Sequence, residues 1–399
     1  MSKKMILAIA SLSVAGLMLS ACGSATQAAT ETIAPAGSAT NTGPATAAAQ
    51  TATNTTLAPG SVKINGAGAT FPLPVYSAWT YAYKYVDPSV VINYQGIGSG
   101  GGKKAIIDGT VDFAGSDSLV TDAEYASGKD LQMYPMVAGA VVPVYNIKWA
   151  KNFPTGTTVP VLVLDRQTLV DIYNAKVTKW NDPEIVATNL GLKDYLPASA
   201  ITAVHRSDGS GTTEIFTKSL TSFSTDWTAG GATSVEWPVD KAGNGIGGKG
   251  NQGVAAAVIN TPNSIGYVEL AYAISNTMSY ASMVNKVGNT VVANSSSLNS
   301  AMSDFTNGFS DKLTATIVDA PGAGSWPISG YTYLVLHTQS MTDCVKAQKI
   351  VEFIRWALTD PAAGQQASTL GYSVLPAAVR DSVLAKLVAV TCKGNPVPH

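Results

Sequence analysis

From residue 61 to residue 399 the sequence alternates β-prone runs with helical runs, and this alternation restricts the fold more than any other feature. The β-prone runs cover residues 61–65, 90–95, 111–114, 137–145 and 332–337, and the helical runs cover residues 73–85, 103–108, 166–173, 212–220, 253–259 and 345–358. Strands that alternate with helices are typical of α/β proteins, which bind ligands beyond the carboxyl ends of their strands. The sequence therefore predicts an α/β fold whose functional residues lie in loops that follow strands.

The first 21 residues have the pattern of a secretory signal peptide. Lys3 and Lys4 precede an apolar run of 15 residues, which is shorter than the ~20 residues that a bilayer-spanning helix needs. The run leads into Leu-Ser-Ala-Cys at residues 19–22, which resembles the bacterial lipobox. We predict cleavage before Cys22 and lipidation of its thiol. The lipid would anchor the exported protein to the outer face of the cell membrane, or to a membrane surface that faces the periplasm. The alternative is an ordinary signal peptide with an incidental cysteine.

Residues 22–60 have the composition of a flexible tether. Residues 23–60 contain 12 Ala and 10 Thr among 38 residues, with one charged residue, Glu31, and no aromatic residue. Such a segment cannot bury enough apolar surface to offset the entropy lost on ordering it. The folded body therefore begins near residue 61.

Two further cysteines, Cys344 and Cys392, remain in a compartment that permits disulfides. Their even number favours a bridge, which would fix the C-terminal segment to the helical run at 345–358. Two buried free thiols are the alternative.

The charge balance excludes one class of partner. The chain has 25 basic and 26 acidic residues and a formal net charge of −1, so it lacks the basic field that collects nucleic acid. Three histidines offer little material for a metal cluster. We expect neither a nucleic-acid partner nor a metal or cofactor.

Two loops that precede helices are rich in glycine. Residues 66–72 follow the first strand and place Thr70 where a helix cap would stand, although a glycine turn with a simple cap is the alternative. Residues 96–103 match G-x-G-x-x-G, but an exported protein has no dinucleotide supply. We interpret this second loop as a nest of backbone N–H groups for an oxyanion, with Ser99 as an additional hydroxyl donor.

The third loop, residues 111–118, ends a strand with Asp117 between two serines. A helix cap or a turn residue is the common role of such an aspartate. If Asp117 instead faces a bound anion, the two negative groups repel each other unless a proton lies between them.

The fourth loop, residues 203–213, holds the highest density of candidate binding groups. Arg206 offers a planar set of donors that suits an oxyanion, and Asp208 is placed to hold that guanidinium. Residues 210–212 open a helix and supply hydroxyls and N–H groups at its N-terminus. We expect His205 to be a solvent-facing neighbour rather than a ligand.

These loops carry a set of motifs in a fixed order, and we identify a family from them. They are Gly-Ala-Gly-Ala-Thr-Phe-Pro at 66–72, Tyr-Gln-Gly-Ile-Gly-Ser at 94–99, Val-Asp-Phe at 111–113, Ser-Asp at 116–117, Lys-Trp-Asn-Asp-Pro-Glu-Ile at 179–185, Arg-Ser-Asp-Gly-Ser-Gly-Thr at 206–212, Gly-Gly-Lys-Gly-Asn at 247–251 and Ile-Gly-Tyr-Val-Glu at 265–269. The chain closely resembles the phosphate-binding proteins of phosphate-specific ABC transporters, some of which are lipoproteins.

The resemblance implies a two-lobed periplasmic-binding-protein fold of type II, with two hinge crossings and phosphate in the cleft between the lobes. Lobe 1 would comprise residues 61–137 and 328–399, and lobe 2 residues 138–327. The implied phosphate contacts are Thr70, Phe71, Ser99, Asp117, Arg206, Ser210, Gly211 and Thr212, with Asp208 holding the arginine. Gly100 departs from members that have a second serine there. The implied partners are inorganic phosphate and the permease and ATPase subunits of the transporter, and we expect a monomer.

The resemblance gives Asp117 a chemical role. Phosphate keeps at least one proton at neutral pH and can donate it to a carboxylate, whereas sulfate can only accept. A buried acceptor therefore rejects sulfate.

The sequence is also compatible with two other functions. An exported phosphohydrolase could use Ser210 or Thr212 as its nucleophile, although no nucleophile elbow with a histidine base is evident. A binding module could use the same fold for another tetrahedral oxyanion or for surface adhesion.

Overall fold

The computed structural model describes residues 57–305 and 308–398, along which strands and helices alternate. The strands are β1 (Val62–Gly68), β2 (Val90–Gly96), β3 (Phe113–Ser116), β4 (Leu131–Asn146), β5 (Val163–Leu164), β6 (Thr202–Arg206), β7 (Gly245–Gly248), β8 (Ser264–Glu269), β9 (Ser279–Tyr280), β10 (Ser282–Val284), β11 (Thr290–Val291), β12 (Ser329–His337), β13 (Ser373–Val374), β14 (Thr391–Cys392) and β15 (Asn395–Pro396). The predicted α/β class is confirmed.

Helices alternate with these strands along the chain, and a short 3₁₀ helix spans Leu190–Leu192. They are α1 (Leu73–Val86), α2 (Ser99–Ile107), α3 (Asp122–Gly128), α4 (Arg166–Tyr173), α5 (Pro183–Thr188), α6 (Gly211–Phe223), α7 (Pro238–Lys241), α8 (Gly250–Asn260), α9 (Leu270–Ser275), α10 (Ser295–Ser303), α11 (Cys344–Thr359), α12 (Pro361–Thr369) and α13 (Ala377–Leu387). In the described ranges, every helix is too short or too polar to cross a membrane.

Ten strands form the main sheet, in the order β2-β1-β3-β12-β4-β8-β6-β7, with β13 and β9 pairing additionally with β4. β1 lies parallel to β2 and to β3, and β6 lies parallel to β7 and to β8. Parallel neighbours end at the same edge of a sheet, so the loops after β1, β2 and β3 lie side by side. The loops after β6 and β7 form a second group in the same way.

β4 connects these two groups of strands. Its residues from Leu131 to Ala140 pair with β12, and its residues from Val141 to Asn146 pair with β8. All but two of its 16 residues are buried, and helices α6, α8, α9, α10 and α11 pack against this central strand. The sequence predicted a strand at 137–145, and the strand begins six residues earlier, at Leu131.

α2 begins at Ser99, inside the glycine-rich loop, and not at residue 103 as predicted. Gly98 precedes it with a φ of 86°, a backbone conformation that favours glycine. At Gly102, a Cβ atom would lie 2.5 Å from the Cα of Gly68 in β1. The three consecutive glycines from residue 100 therefore allow α2 to approach β1 closely, although glycine is a poor helix former.

A disulfide joins Cys344, at the start of α11, to Cys392 in β14, which confirms the predicted bridge. The Cα atoms lie 5.4 Å apart, and 48 residues separate the two cysteines. The bridge fixes the C-terminal hairpin of β14 and β15 to α11. The predicted lipidation site, Cys22, lies outside the described residues.

Replacing both bridged cysteines by alanine should lower the free energy of unfolding by about 2–4 kcal/mol, because the bridge restricts the unfolded chain. Urea unfolding of the oxidised wild-type protein and the double variant measures this difference. Reduction of the wild-type protein with dithiothreitol should give the same loss. Equal unfolding midpoints for all three samples would contradict a stabilising role of the bridge.

Candidate functional site

The loops that follow β1, β2, β3, β6 and β7 meet in one buried cluster. The backbone N–H of Gly100 donates to the carbonyl of Gly209 at 3.1 Å, which joins the loop after β2 to the loop after β6. The cluster contains all eight residues predicted to bind the ligand, each of them buried: Thr70, Phe71, Ser99, Asp117, Arg206, Ser210, Gly211 and Thr212. Residues that are distant in the sequence thus come together at the ends of strands.

Arg206 stands at the end of β6, and Asp208 holds its guanidinium in a two-pronged ion pair. The Nε–Oδ1 distance is 2.7 Å and the Nη2–Oδ2 distance is 2.6 Å, and the arginine side chain is 1% exposed. Asp208 also accepts the backbone N–H of Gly250 at 3.0 Å. Burial opposes ionisation of Asp208, but the contact with Arg206 lowers the pKa of this carboxyl below its ordinary value. The guanidinium is therefore held in one orientation, with Nη1 on the side of Thr212.

Ser99 links the loop after β3 to the start of α6. Its Oγ accepts the backbone N–H of Asp117 and the backbone N–H of Gly211, each at 3.1 Å. A Cβ atom on Gly211 would lie 2.6 Å from Ser99 Oγ and 2.5 Å from the Cβ of Asp117. Only glycine fits at the first position of α6, where the helix N-terminus meets the carboxylate.

Asp117 is a buried carboxylate that the loop of β3 holds inside the cluster. Thr332 of β12 donates its hydroxyl to Oδ1 at 2.8 Å, and Ser99 Oγ lies 3.4 Å from Oδ2. Burial raises the pKa of Asp117 to about 7, although the hydrogen bond from Thr332 and the charge of Arg206 act in the opposite direction. Asp117 is therefore neither a helix cap nor a simple turn residue, the two common roles of an aspartate at such a position. It is an acceptor placed among donors.

Two tyrosines hold the backbone of the first loop. Tyr272 donates its hydroxyl to the carbonyl of Thr70 at 2.6 Å, and Tyr372 donates to the carbonyl of Phe71 at 2.7 Å. In a trans peptide the C=O and the following N–H point in opposite directions. Tyr272 therefore fixes the direction of the Phe71 N–H, which points away from the tyrosine.

The structure corrects the prediction that Thr70 caps α1. The cap residue is Pro72, which makes no side-chain cap hydrogen bond. Thr70 Oγ1 instead accepts the side-chain amide of Asn251 at 2.9 Å and the backbone N–H of the same residue at 3.0 Å. The hydroxyl thus satisfies the N-terminus of α8, which comes from a distant part of the chain.

Ser210 is the N-cap of α6, because its Oγ accepts the backbone N–H of Thr213 at 3.0 Å. The hydroxyl hydrogen is not needed for this cap. α6 has 13 residues, so its positive end adds an electrostatic contribution that favours an anion beside Gly211.

His205 is buried and not solvent-facing, so that expectation was wrong. It is 5% exposed, its ring stacks on Trp237, and its Nε2 lies 2.8 Å from Asp240 Oδ1. Its Nδ1 contacts the carbonyl of Arg206 at 3.0 Å. Both ring nitrogens are thus engaged away from Ser210. Over the residues that the structure describes, no three His, Cys, Asp or Glu side chains group as metal ligands would.

Sequence reasoning missed three residues of the site: Asn251, Thr332 and Tyr272. Asn251 stands after a strand and at the start of a helix, in one of the quoted motifs, so the rule that found the other loops could have found it. Thr332 lies within a strand and Tyr272 within a short helix, and no local pattern distinguishes them.

Most of the chain is similar to known proteins. Residues 34–361 match the PBP superfamily domain. A phosphate-binding protein PstS of Xylella fastidiosa (strain Temecula1) is 39% identical over 79% of this chain and 82% of its own length, and one of Pasteurella multocida is 38% identical over 81% and 89%. The solved structure of a phosphate-binding protein from Stenotrophomonas maltophilia aligns over 85% of this chain and all of that one, with a TM-score of 0.61 and 19% identity. The fold is that of a two-lobed periplasmic binding protein of type II.

Substitution of Asp117 by asparagine should change how stability depends on pH in the ligand-free protein. The folded-state pKa is about 7 against an ordinary value of 3.8, so the folded state favours the protonated acid. The stability that this group contributes is present at low pH and is lost as pH rises from about 4 to about 7. The difference in unfolding free energy between wild type and Asp117→Asn should change by on the order of a few kcal/mol over that interval.

Urea unfolding at a series of pH values measures that difference. Asp381→Asn, at a carboxylate whose side chain is 64% exposed, serves as the matched control. A difference for Asp117→Asn that does not change with pH would show that the folded state does not favour the protonated acid.

Proposed function

The chain belongs to the PstS family of phosphate-binding proteins, and we propose that it binds inorganic phosphate outside the cytoplasm and delivers it to the permease of an ABC transporter. The observation that carries the proposal is one buried acceptor, Asp117, set among many hydrogen-bond donors. That combination suits a tetrahedral oxyanion that still carries a proton.

Binding by this cluster rests mainly on neutral donors. The Phe71 N–H and the hydroxyls of four residues would supply the neutral donors, and Arg206 adds the one positive side chain of the cluster. The four hydroxyl residues are Thr70, Ser99, Ser210 and Thr212. Charge-assisted hydrogen bonds are about twice as strong as neutral ones, and a helix N-terminus adds a favourable dipole. The anion would thus exchange its water shell for fixed protein donors.

Asp117 gives the site its selectivity. A phosphate that carries a proton donates it to the carboxylate, whereas sulfate would leave two negative groups facing each other. The raised pKa, about 7, adds a pH dependence, because protonated Asp117 can donate to sulfate. Rejection of sulfate should therefore weaken as pH falls below about 7.

We propose the lobe boundaries given by the resemblance, residues 61–137 with 328–399 and residues 138–327. In support, β4 changes its pairing partner between Ala140 and Val141, and the N–H of Val141 donates to the carbonyl of Ile328 at 2.9 Å. Thr70, Ser99 and Asp117 then belong to lobe 1, and the Arg206 loop belongs to lobe 2. With these boundaries, the contacts of Thr70, Ser99 and Asp117 with the second group of loops would be contacts across a closed cleft.

The chain is proposed to be a non-enzymatic monomer. In support, its relatives are named as binding proteins, the Ser210 hydroxyl caps a helix, and both nitrogens of His205 are engaged elsewhere. No cofactor takes part in this function. The permease and ATPase subunits of the transporter are its proposed partners.

Competition calorimetry on the phosphate-depleted protein tests the binding function. Phosphate should bind, arsenate should compete because it also carries a proton, and sulfate should bind more weakly than phosphate by a factor that grows as pH rises above about 7, where Asp117 is ionised. Phosphate should also co-purify with the protein, and a phosphomonoester should not be turned over. Steady release of phosphate from that ester would favour the phosphohydrolase instead, and equal binding of sulfate would contradict the role of the acceptor.

Asp117→Asn should reduce the preference for phosphate over sulfate by at least about tenfold, because the amide can donate to either anion. Competitive titration of the two anions measures the ratio. Asp319→Asn is the matched control, since Asp319 is equally buried but pairs with Arg166. The Asp117 role is wrong if both variants keep the wild-type ratio.

We also propose that Cys22 carries a lipid that anchors the exported chain to the membrane. The support is the signal-peptide pattern that precedes it and the Ala- and Thr-rich segment that follows. Cys22→Ser should abolish incorporation of labelled fatty acid and should release the protein from the membrane fraction. Cys392→Ser should keep the label. Persistent labelling of Cys22→Ser would place the modification elsewhere.

A further inference from the structure

The side chain of Asn251, at the start of α8, is fully buried and joins three polar groups. Its Oδ1 accepts the backbone N–H of Glu269 at 2.9 Å. Its Nδ2 lies 2.9 Å from Thr70 Oγ1 and 3.0 Å from Thr212 Oγ1. A backbone N–H can only donate, so the amide oxygen must face Glu269 and the two amide hydrogens must face the two threonines.

This orientation determines what the Thr70 hydroxyl can do. A threonine hydroxyl has two lone pairs and one hydrogen. The side-chain amide and the backbone N–H of Asn251 both donate to Thr70 Oγ1, at 2.9 and 3.0 Å, and so use both lone pairs. The hydroxyl can then engage a further group only by donating its hydrogen.

The Thr212 hydroxyl is constrained in the same way. It accepts from Asn251 Nδ2 at 3.0 Å and, over a longer distance of 3.4 Å, from Arg206 Nη1. Its hydrogen also remains for a third partner. One amide thus acts on two hydroxyls, one from each proposed lobe.

We infer that Asn251 is a positioning residue that sets the hydrogen-bond polarity of the anion site, by turning the hydroxyls of Thr70 and Thr212 into obligatory donors. The inference rests on the proposed function, because it concerns the same cleft. Without the amide, each hydroxyl could rotate and present a lone pair to the anion. The site would then lose donors and would gain acceptors that compete with Asp117 for the proton of the ligand.

The same amide couples the donor set to closure of the cleft. Asn251 and Thr212 lie in the proposed lobe 2, and Thr70 lies in lobe 1, so the contact with Thr70 forms only when the two come together. The Thr70 hydroxyl becomes an obligatory donor in that closed arrangement. Binding and closure therefore reinforce each other through one side chain.

Leucine is close to asparagine in size but is apolar. Asn251→Leu should therefore weaken phosphate binding on the order of 10- to 100-fold, because two hydroxyls lose their fixed donor orientation. Arsenate should weaken by the same factor, since the donors serve both anions. Asn146→Leu is the matched control: the Asn146 amide donates to the carbonyls of Val258 and Ile259 at the other end of α8. It should leave the dissociation constant of phosphate unchanged. Where Asn251→Leu does not fold, Asn251→Ser serves instead, with the same expected losses.

A double-mutant cycle separates positioning from general support of the loop. In a protein that carries Thr70→Val and Thr212→Val, adding Asn251→Leu should weaken phosphate binding by less than about twofold, because the amide no longer has hydroxyls to orient. The inference would be overturned if Asn251→Leu weakened phosphate binding by the same factor with and without the two threonine substitutions. Wild-type affinity in Asn251→Leu would also overturn it. Failure of the wild-type protein to bind phosphate would instead reject the proposed function, and this inference with it.

Discussion

Burial of the site requires a partner for each polar group around it, and the loops supply those partners to one another. Ser99 Oγ receives the N–H groups of Asp117 and Gly211, and Thr70 Oγ1 receives two from Asn251. A buried donor or acceptor without a partner costs about 1–3 kcal/mol, so these contacts favour the assembled arrangement strongly. These contacts fix the orientations of the Ser99 and Thr70 hydroxyls within the cluster.

The electrostatics of the cluster explain how a weakly charged chain can bind an anion. Asp208 pairs with Arg206 at 2.6 Å, and Asp117 adds a second carboxylate, so the side chains offer no excess of positive charge. Affinity has to come from oriented dipoles, namely backbone N–H groups, hydroxyls and the N-terminus of α6. A near-neutral net charge, −1 for the full sequence, is compatible with that design.

The sequence was sufficient to predict the α/β class and the loops after strands that the fold brings together. Each of those loops has a local signature, namely glycines, hydroxyls or an arginine between a strand and a helix. The residues that orient these groups were not predictable in the same way. Thr70 and Asn251 are 181 positions apart, and Asp117 and Thr332 are 215 apart, so only the folded sheet brings them into contact. His205 was misjudged because its partners, Trp237 and Asp240, come from a distant segment.

The central claim is that the proton of a bound phosphate is shared with Asp117, while the surrounding groups donate. A crystal structure of the phosphate complex tests it most directly. We expect a phosphate oxygen about 2.5–2.7 Å from an Asp117 carboxylate oxygen, the range of a charge-assisted O–H···O bond, with Arg206 and the hydroxyls on the other oxygens. A phosphate bound outside the cleft, or one whose oxygens all lie beyond hydrogen-bond distance of Asp117, would contradict it.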